Sequence, residues 1–418
     1  MWAAGGREVR SPMRRRRLYR AISCIALVLV AAVAAAPSAG AAKQASTATA
    51  KVTPASGVPI PVTFVNLDAT SSTVPARQGA KAAVQELNRT GGIGGRPMKL
   101  TECVTDQTPE KGKACMDAAA AAKPVAVLAV QPGSAVDSLA SLQGPGIPYV
   151  GQTCNTNATL SGQFSTFCFG SDFVGLYSSS ANYLKSLTTV KRVALPYIAV
   201  PAATSGVKAY AVPIVQRAGM TPVEAPIPEG TSDITQIWIT MLEANPPPDA
   251  TVGLLTGPGC ITAMKTKPTT PTQKPLVLPA MCTDGDVLHD GGPTAKGTLF
   301  VRQTAAIDRK NADVKTYDKA MARYAAEADP QDVYAQAGFA SVMNLAAALR
   351  TIPVGSTIDA AAATNALKAA KAVPMFLGGG STYTCNGSAF PTLKSLCSLQ
   401  SHVVEYGGKQ RWIDKGIF

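Results

Sequence analysis

A glycine-rich run, ELNRTGGIGGRPMKL at Glu86–Leu100, connects a predicted helix to a predicted strand in the first part of this chain. A helical pattern over Ala76–Thr90 leads into it, with small and aliphatic residues recurring on one face. Gly91 and Gly92 then end the helix, because glycine readily adopts the left-handed conformation that follows a helix C-terminus. A strand is predicted at Pro97–Val104, so the run is interpreted as a turn from helix to strand.

The same glycines also suggest a dinucleotide-binding loop, but the context argues against it. Such a loop links a strand to a helix, whereas Gly91–Gly95 follows a helix, and Pro97 occupies the position of the final glycine. The glycine-rich turn is the better interpretation.

Strands and helices alternate on both sides of this run, which is typical of parallel, doubly wound sheets. We therefore predict an α/β protein with two lobes and a tail that ends in an antiparallel pair of strands, His402–Tyr406 and Arg411–Ile413. The predicted parallel strands are Ile60–Leu67, Pro97–Val104, Val125–Val130, Ile147–Val150, Arg192–Tyr197, Thr221–Ala225, Ala250–Leu255 and Leu276–Leu278. The predicted helices are Ala76–Thr90, Thr108–Ala122, Ser134–Leu142, Phe173–Ser186, Val207–Ala218, Ile234–Ala244, Lys310–Ala328, Asp332–Arg350 and Ile358–Ala372.

Composition indicates a folded chain without a nucleic-acid role. Of 418 residues, 46% are apolar and 16% are charged, which excludes a disordered chain. The net charge is +13, but Met1–Ala41 has seven arginines and one glutamate, so 13 − 6 leaves +7 for the remainder. The lysines and arginines of that remainder are scattered, and they form no basic patch for nucleic acid.

The N-terminus has the pattern of an export signal. Arginines at Arg14–Arg17 precede the uncharged stretch Ala21–Ala36, and Ala39-Gly40-Ala41 fits a cleavage site. We predict a signal peptide at 1–41 that is cleaved, and a flexible leader at 42–58. The alternative is a membrane anchor, for which the apolar stretch is short. Translation could also start at Met13, and the arginine run faintly suggests twin-arginine export.

Eight cysteines beyond Cys24 indicate disulfides in an oxidising compartment. Eight cysteines allow 105 pairings, and pairing between sequence neighbours is the simplest proposal. It gives Cys103–Cys115, Cys154–Cys168, Cys260–Cys282 and Cys385–Cys397. A metal site is disfavoured because no C-x-x-C motif occurs.

Residues for acid–base catalysis are scarce. The chain has two histidines, His289 and His402, and both are interpreted as surface or structural residues. The common hydrolase, metalloprotease and phosphate-loop motifs do not occur. The carboxylates around Asp284, Asp286 and Asp290 resemble part of a calcium loop but do not fit its order, so we predict a solvated turn. We predict that the chain is not an enzyme and uses no cofactor or metal.

The glycine-rich run also resembles a segment of the type I periplasmic binding proteins, the branched-chain amino-acid receptors of ABC importers. Their segment reads N-x-x-G-G-I-x-G-R-x-I/M-x-L, and here Asn88–Leu100 is similar to it. Later segments are similar as well, namely Asp106-Gln107-Thr108, Gly146-Ile147-Pro148, Phe169-Gly170-Ser171-Asp172, Glu229–Ile234 and Gly407–Trp412.

The resemblance implies two Rossmann-like lobes, a ligand cleft between them and three crossover segments. The first lobe would comprise 59–168 and 303–378, and the second lobe 169–302 and 379–418. In the family, the first lobe holds the carboxylate of the ligand. By position, the resemblance assigns this role to Gly133, Ser134, Thr153 and Thr156, and helix N-termini suit an anion. Ser134 could instead simply cap a short helix.

The second lobe departs from the family pattern. Thr256-Gly257-Pro258 replaces the region of a ligand-binding tyrosine, and Asp284 lies near the position of an acidic residue that holds an ammonium group. In the first loop, Ser72 lies where an aromatic residue is expected. Thr256, Asp284 and Ser72 complete the predicted ligand site. The ligand is thus either an amino acid or another small polar molecule, such as an amide or a carboxylate.

The resemblance implies an exported solute-binding protein that closes on a small polar ligand and delivers it to the membrane permease of an ABC importer. The alternative is a ligand-sensing module that presents its closed state to a receptor. An exported enzyme is a third possibility, which the missing catalytic groups disfavour.

Overall fold

The computed structural model describes residues 53–68, 73–231, 233–267, 274–304, 310–390, 392–409 and 411–418. The predicted signal peptide, most of the predicted leader and Ser72 lie outside these residues. Residues 55–57, from the end of that leader, hydrogen-bond through their backbone amides to the carbonyls of Asn88 and Gly95.

The first sheet has five parallel strands in the order β2-β1-β3-β4-β5. Its strands are β1 Ile60–Leu67, β2 Met98–Thr105, β3 Val127–Ala129, β4 Tyr149–Gly151 and β5 Thr166–Cys168. The helices between them are α1 Val74–Arg89, α2 Pro109–Ala122, a 3-10 helix Gly133–Leu142 and α3 Asn157–Leu160. β1 is almost wholly buried because it is an inner strand whose two faces are both covered.

The glycine-rich run joins α1 to β2 as predicted. The Asn88 side-chain amide donates to the Met98 carbonyl at 2.9 Å and its oxygen accepts from the Met98 amide at 2.7 Å, so it pairs with the start of β2 as a strand backbone would. Gly92 has a φ of +65°, and a Cβ there would stand 2.2 Å from the Arg96 carbonyl oxygen. Only glycine fits this position.

The second sheet has seven strands in the order β14-β13-β10-β9-β8-β6-β7. Its strands are β6 Arg192–Ile198, β7 Thr221–Ile227, β8 Ala250–Val252, β9 Leu276–Pro279, β10 Leu299–Arg302, β13 His402–Tyr406 and β14 Trp412–Ile417. Strands β6 to β10 run parallel, whereas β13 is antiparallel to both β10 and β14, which confirms the predicted terminal pair. The α/β fold with parallel sheets is therefore confirmed.

Helices cover the second sheet, and one of them contains a π-helical turn. They are α4 Asp172–Ser186, α5 Pro201–Gly206, the π turn Val207–Ala211, α6 Val212–Arg217, α7 Thr235–Leu242, α8 Gly257–Thr266 and α9 Gly285–Gly291. The solvated turn predicted around Asp284 is wrong, because Asp286 and Asp290 lie in α9. That helix is anchored by Leu288, which is buried in the core, while both carboxylates face solvent.

The chain then returns to the first sheet through three helices, α10 Ala312–Tyr324, α11 Val333–Leu349 and α12 Ala360–Ala369, followed by the small β11 Val373–Pro374 and β12 Thr382–Tyr383 pair. These helices share a core cluster with β1 and α1. Gly79 and Gly338 allow α1 and α11 to touch, since a Cβ on Gly338 would stand 1.9 Å from the Ala76 carbonyl oxygen. Two glycines thus allow α11 of this returning segment to pack directly on α1.

Four disulfides join the pairs proposed from the spacing, Cys103–Cys115, Cys154–Cys168, Cys260–Cys282 and Cys385–Cys397. Within the described part of the chain, none of the helices is long and apolar enough to cross a bilayer.

Candidate functional site

Both sheets direct the carboxyl ends of their strands toward one cavity of about 90 Å³. Ligands of open parallel sheets bind at this end, because the loops there are free to vary and helices begin there. The cavity is lined by Gln131, Gln152, Thr153, Phe173, Leu176, Leu254, Pro279, Ala280, Met281, Val301, Gln303, Thr304, Val333, Tyr334, Ala337 and Ser401. We call it the cleft.

The first-sheet side of the cleft is polar. Gln131 follows β3, while Gln152 and Thr153 follow β4. The Gln152 backbone amide donates to the Ala129 carbonyl at 2.9 Å, and the Thr153 hydroxyl donates to the Val130 carbonyl. The disulfide from Cys154 to Cys168 then ties this loop to the end of β5. Gln152 and Thr153 are therefore each held by a hydrogen bond to a backbone carbonyl of the loop after β3 or of β3 itself.

The part of the cleft that is lined by the loops after β8 and β9 of the second sheet is apolar. Leu254 follows β8, Pro279 ends β9, and Ala280 and Met281 come directly after it. Phe173 and Leu176 of α4 add to this surface. The Cys260–Cys282 disulfide fixes the loop after β9 to the start of α8. Each sheet thus has one disulfide beside its part of the cleft.

The returning segment closes the cleft from a third direction. Gln303 and Thr304 follow β10, and the Thr304 hydroxyl donates to Gln336 Oε1 at 2.7 Å. Arg302 Nη2 donates to the same oxygen at 3.0 Å, and Nη1 donates to the Thr283 hydroxyl at 2.9 Å. Gln336, on α11, therefore couples the helix to the end of β10.

Charged groups lie close behind the lining residues. Burial lowers the pKa of Arg302 to about 10, and its guanidinium lies over the Trp412 ring. Asp332 caps α11 by accepting from the Tyr334 and Ala335 amides at 2.8 and 2.9 Å. Burial, with further help from the nearby Asp284, raises the pKa of Asp332 to about 6. Burial also raises the pKa of Asp284.

The structure places the sequence-predicted ligand residues in different surroundings. Thr153 lines the cleft, and Gly133 and Ser134 begin the 3-10 helix after β3, where the Ser134 hydroxyl donates to the Thr108 carbonyl at 2.6 Å. Thr156 caps α3 in a capping box with Thr159. Thr256, which is exposed, and Asp284 lie at the starts of α8 and α9. Ser72 lies outside the described residues. The ligand-binding role of these residues remains a prediction.

The glutamines that line the cleft were not predicted from the sequence. Gln131 and Gln152 each come one or two residues after a short buried strand, and this position at the carboxyl end of a parallel strand is the signal that could have found them. Gln303 could not have been found in this way, because β10 was not predicted as a strand.

The two histidines behave as predicted. His402 is buried, and its Nε2 lies 2.8 Å from the Gly378 carbonyl oxygen. His289 is exposed and contacts Asp290. No cluster of three or more metal-ligand side chains occurs among the residues that the structure describes.

A larger cavity of about 660 Å³ lies at the opposite end of the first sheet. Tyr149 and Thr166, which line it, are the first residues of β4 and β5. Gln163, Lys368 and Lys394 also line this second cavity, which is open to solvent.

The chain matches the family model described as "Periplasmic binding protein" over residues 67–393, and it belongs to this family. The resemblance drawn from the glycine-rich run is thereby confirmed. Membership in this family implies an extracytoplasmic location. No curated protein sequence matches the chain significantly.

Solved structures share the fold at low sequence identity. A possible leucine/isoleucine/valine-binding protein from Rhodopirellula baltica SH 1 is 15% identical with a TM-score of 0.68, and the match covers 88% of this chain and 98% of that one. The branched-chain amino acid transporter substrate binding protein LivJ from Streptococcus pneumoniae, in complex with isoleucine, is 14% identical with a TM-score of 0.64 and coverages of 87% and 99%. A fatty acid ABC transporter substrate-binding protein from Thermomonospora curvata is 12% identical, with a TM-score of 0.67 and coverages of 88% and 94%.

Proposed function

We propose that this protein is an exported solute-binding protein that captures a small polar ligand in the cleft and delivers it to the permease of an ABC importer. The observation that carries the proposal is the cleft itself, into which both parallel sheets direct the carboxyl ends of their strands. Family membership and the solute-binding neighbours support it. The signal peptide at 1–41 would direct export and be cleaved.

Capture requires the cleft to open and close. The cavity of about 90 Å³ is smaller than the roughly 300–1,000 Å³ of most small-molecule sites. A ligand of ordinary size therefore needs the lobes, 59–168 with 303–378 and 169–302 with 379–418, to move about the crossover segments. Small-angle scattering of the exported protein should show a change in radius of gyration when ligand is added.

The test of capture is a thermal-shift screen of the exported protein against amino acids, amides, short-chain acids and polyols. A ligand at 100 times its Kd stabilises the folded state by about 2.7 kcal/mol, which is easily detected. Once a ligand is known, its affinity is measured for the Ser134→Ala and Thr153→Val variants. The resemblance assigns both residues to the ligand site, but only Thr153 is among the residues that line the cleft. No shift with any solute would contradict solute capture.

Delivery to an importer needs a separate test. Deleting the gene should abolish high-affinity uptake of the radiolabelled ligand by the source cells, and an intact copy should restore uptake. Normal uptake together with an altered transcriptional response to the ligand would favour the sensing module instead.

A further inference from the structure

We propose that the ligand of the cleft is an uncharged molecule with an apolar body and a hydrogen-bond donor group, a hydroxyl or an amide N–H. This inference rests on the proposed function and specifies its ligand class. The donor would be held by Gln152 Oε1 and Ser401 Oγ, and the apolar body would lie against the second-sheet side.

The polar anchor follows from two buried side chains. Gln152 and Ser401 both line the cleft, and each is only 1% exposed. Gln152 Oε1 and Ser401 Oγ have no hydrogen-bond partner among the described residues. A buried acceptor without a partner is unfavourable, and a ligand that donates a hydrogen bond removes that penalty. Gln152 Oε1 therefore selects for a donor, and the Ser401 hydroxyl is able to accept from the same group.

The backbone holds these two side chains in place. The loop of Gln152 is fixed by its own amide bond to the Ala129 carbonyl and by the Cys154–Cys168 disulfide. Ser401 exchanges two backbone hydrogen bonds with Phe418, at 3.2 and 3.0 Å. The segments that carry the two acceptors are thus fixed before a ligand arrives, which favours specific binding.

The apolar body is specified by the rest of the lining. Leu176, Leu254 and Met281 face the cleft together with Phe173 and Val333. Aliphatic and aromatic walls around a few polar groups are typical of small-molecule sites, and here they offer a surface for the apolar body of the ligand.

Charge is the feature that this lining does not accommodate. Every lining residue of the described cleft is formally neutral. The charged residues Arg302 and Asp332 lie behind the lining and not on it, where Arg302 donates to Gln336 and Thr283 and Asp332 accepts from two helix amides. A carboxylate or ammonium group brought into this cleft would lose hydration without contacting an opposite charge among the lining residues.

The experiment uses ligands that share one carbon skeleton and differ in charge. Binding of the exported protein is measured by calorimetry with 3-methylbutanamide and 3-methylbutan-1-ol, which are neutral donors. The charged counterparts are 3-methylbutanoate, 3-methylbutan-1-ammonium and L-valine. We expect a neutral member of the series to bind at least about tenfold more tightly than every charged one.

The outcomes separate this inference from the proposed function. Tighter binding of valine, the carboxylate or the ammonium overturns the uncharged ligand but leaves solute capture intact. The inference is also overturned, with solute capture intact, if the wider screen yields only charged ligands or only polyols, which lack an apolar body. Failure of all solutes in both experiments overturns both proposals.

Variants of the anchor test its position. Gln152→Leu should weaken binding of the neutral ligand at least about tenfold, whereas Gln163→Leu, on the rim of the second cavity, should leave it unchanged. Gln152→Glu should shift the preference from 3-methylbutanamide to 3-methylbutan-1-ammonium. If Gln152→Leu does not fold, as judged by circular dichroism, Ser401→Ala provides the test, with an expected loss of several-fold. Unchanged affinity in a folded Gln152→Leu variant overturns the assignment.

Discussion

On the first-sheet side of the cleft the chain places Gln131, Gln152 and Thr153, whereas on the second-sheet side it places Leu254, Pro279 and Met281. The two sides share a construction, since each consists of residues that follow parallel strands and each has a disulfide beside it. They differ in chemistry, because the loops after β3 and β4 provide hydrogen-bonding groups and the loops after β8 and β9 provide aliphatic surface. Two similar frameworks thus give one cleft a hydrogen-bonding surface and an apolar surface.

The largest expected effect comes from removing either disulfide beside the cleft. Cys154→Ser/Cys168→Ser and Cys260→Ser/Cys282→Ser open loops of 14 and 22 residues. Each double variant should lose about 3 kcal/mol of unfolding free energy, because the unfolded chain regains entropy. Urea denaturation followed by circular dichroism measures this. A loss confined to one variant would show that the two sides are not built alike.

A smaller effect is expected from shortening the apolar side. Leu254→Ala removes half-buried aliphatic surface from the cleft, and ligand affinity should fall about tenfold, or about 1.4 kcal/mol. Calorimetry measures the affinity. Leu242→Ala is the matched control, since Leu242 is also half-buried but packs against the core of the second sheet and does not line the cleft. Equal losses of affinity in both variants would contradict the role of the apolar side.

On the polar side, Thr153→Val should lower the unfolding free energy by about 1 kcal/mol, because the hydroxyl no longer donates to the Val130 carbonyl. Thr153→Ser keeps the hydroxyl and should retain most of the stability. If the valine variant is as stable as the serine variant, this hydrogen bond does not hold the loop.

The smallest effect concerns the charged groups behind the cleft. Burial raises the pKa of Asp332 from 3.8 in the unfolded chain to about 6, so the folded state holds more protons between these values. The contribution of Asp332 to the free energy of unfolding should therefore fall as pH rises from about 4 to 6. The fall should be on the order of 1 kcal/mol, because solvent screens part of the effect.

Asp332→Asn keeps a good helix cap and should remove that part of the pH dependence. Asp359→Asn makes the same exchange at the exposed cap of α12 and provides the control. Denaturation midpoints of both variants, measured between pH 4 and 7, test whether Asp332 causes this pH dependence. An unchanged slope in the Asp332 variant would mean that another group carries the effect.

Sequence patterns predicted most strands of both sheets, but they missed β5 in the first sheet and β10 in the second. β1, β2 and α1 have strong local signals, namely a buried apolar run, a helical face and glycines at the turn. Strand β10 is four residues long and helix α9 begins at Gly285 without a side-chain cap. Such elements depend on their neighbours more than on local propensity, so patterns along the chain do not reveal them.

The sequence by itself determined the family, through the glycine-rich run, the alternation of strands and helices and the spacing of the cysteines. These features are local, because each depends on backbone conformation or on residues close in the chain. Only the tertiary structure decided which residues line the cleft. Gln152, Leu254 and Ser401 are far apart in sequence and meet because two sheets and a returning segment converge there. The position after a short buried strand marks Gln152 as a candidate, but whether its side chain faces a cavity depends on that convergence.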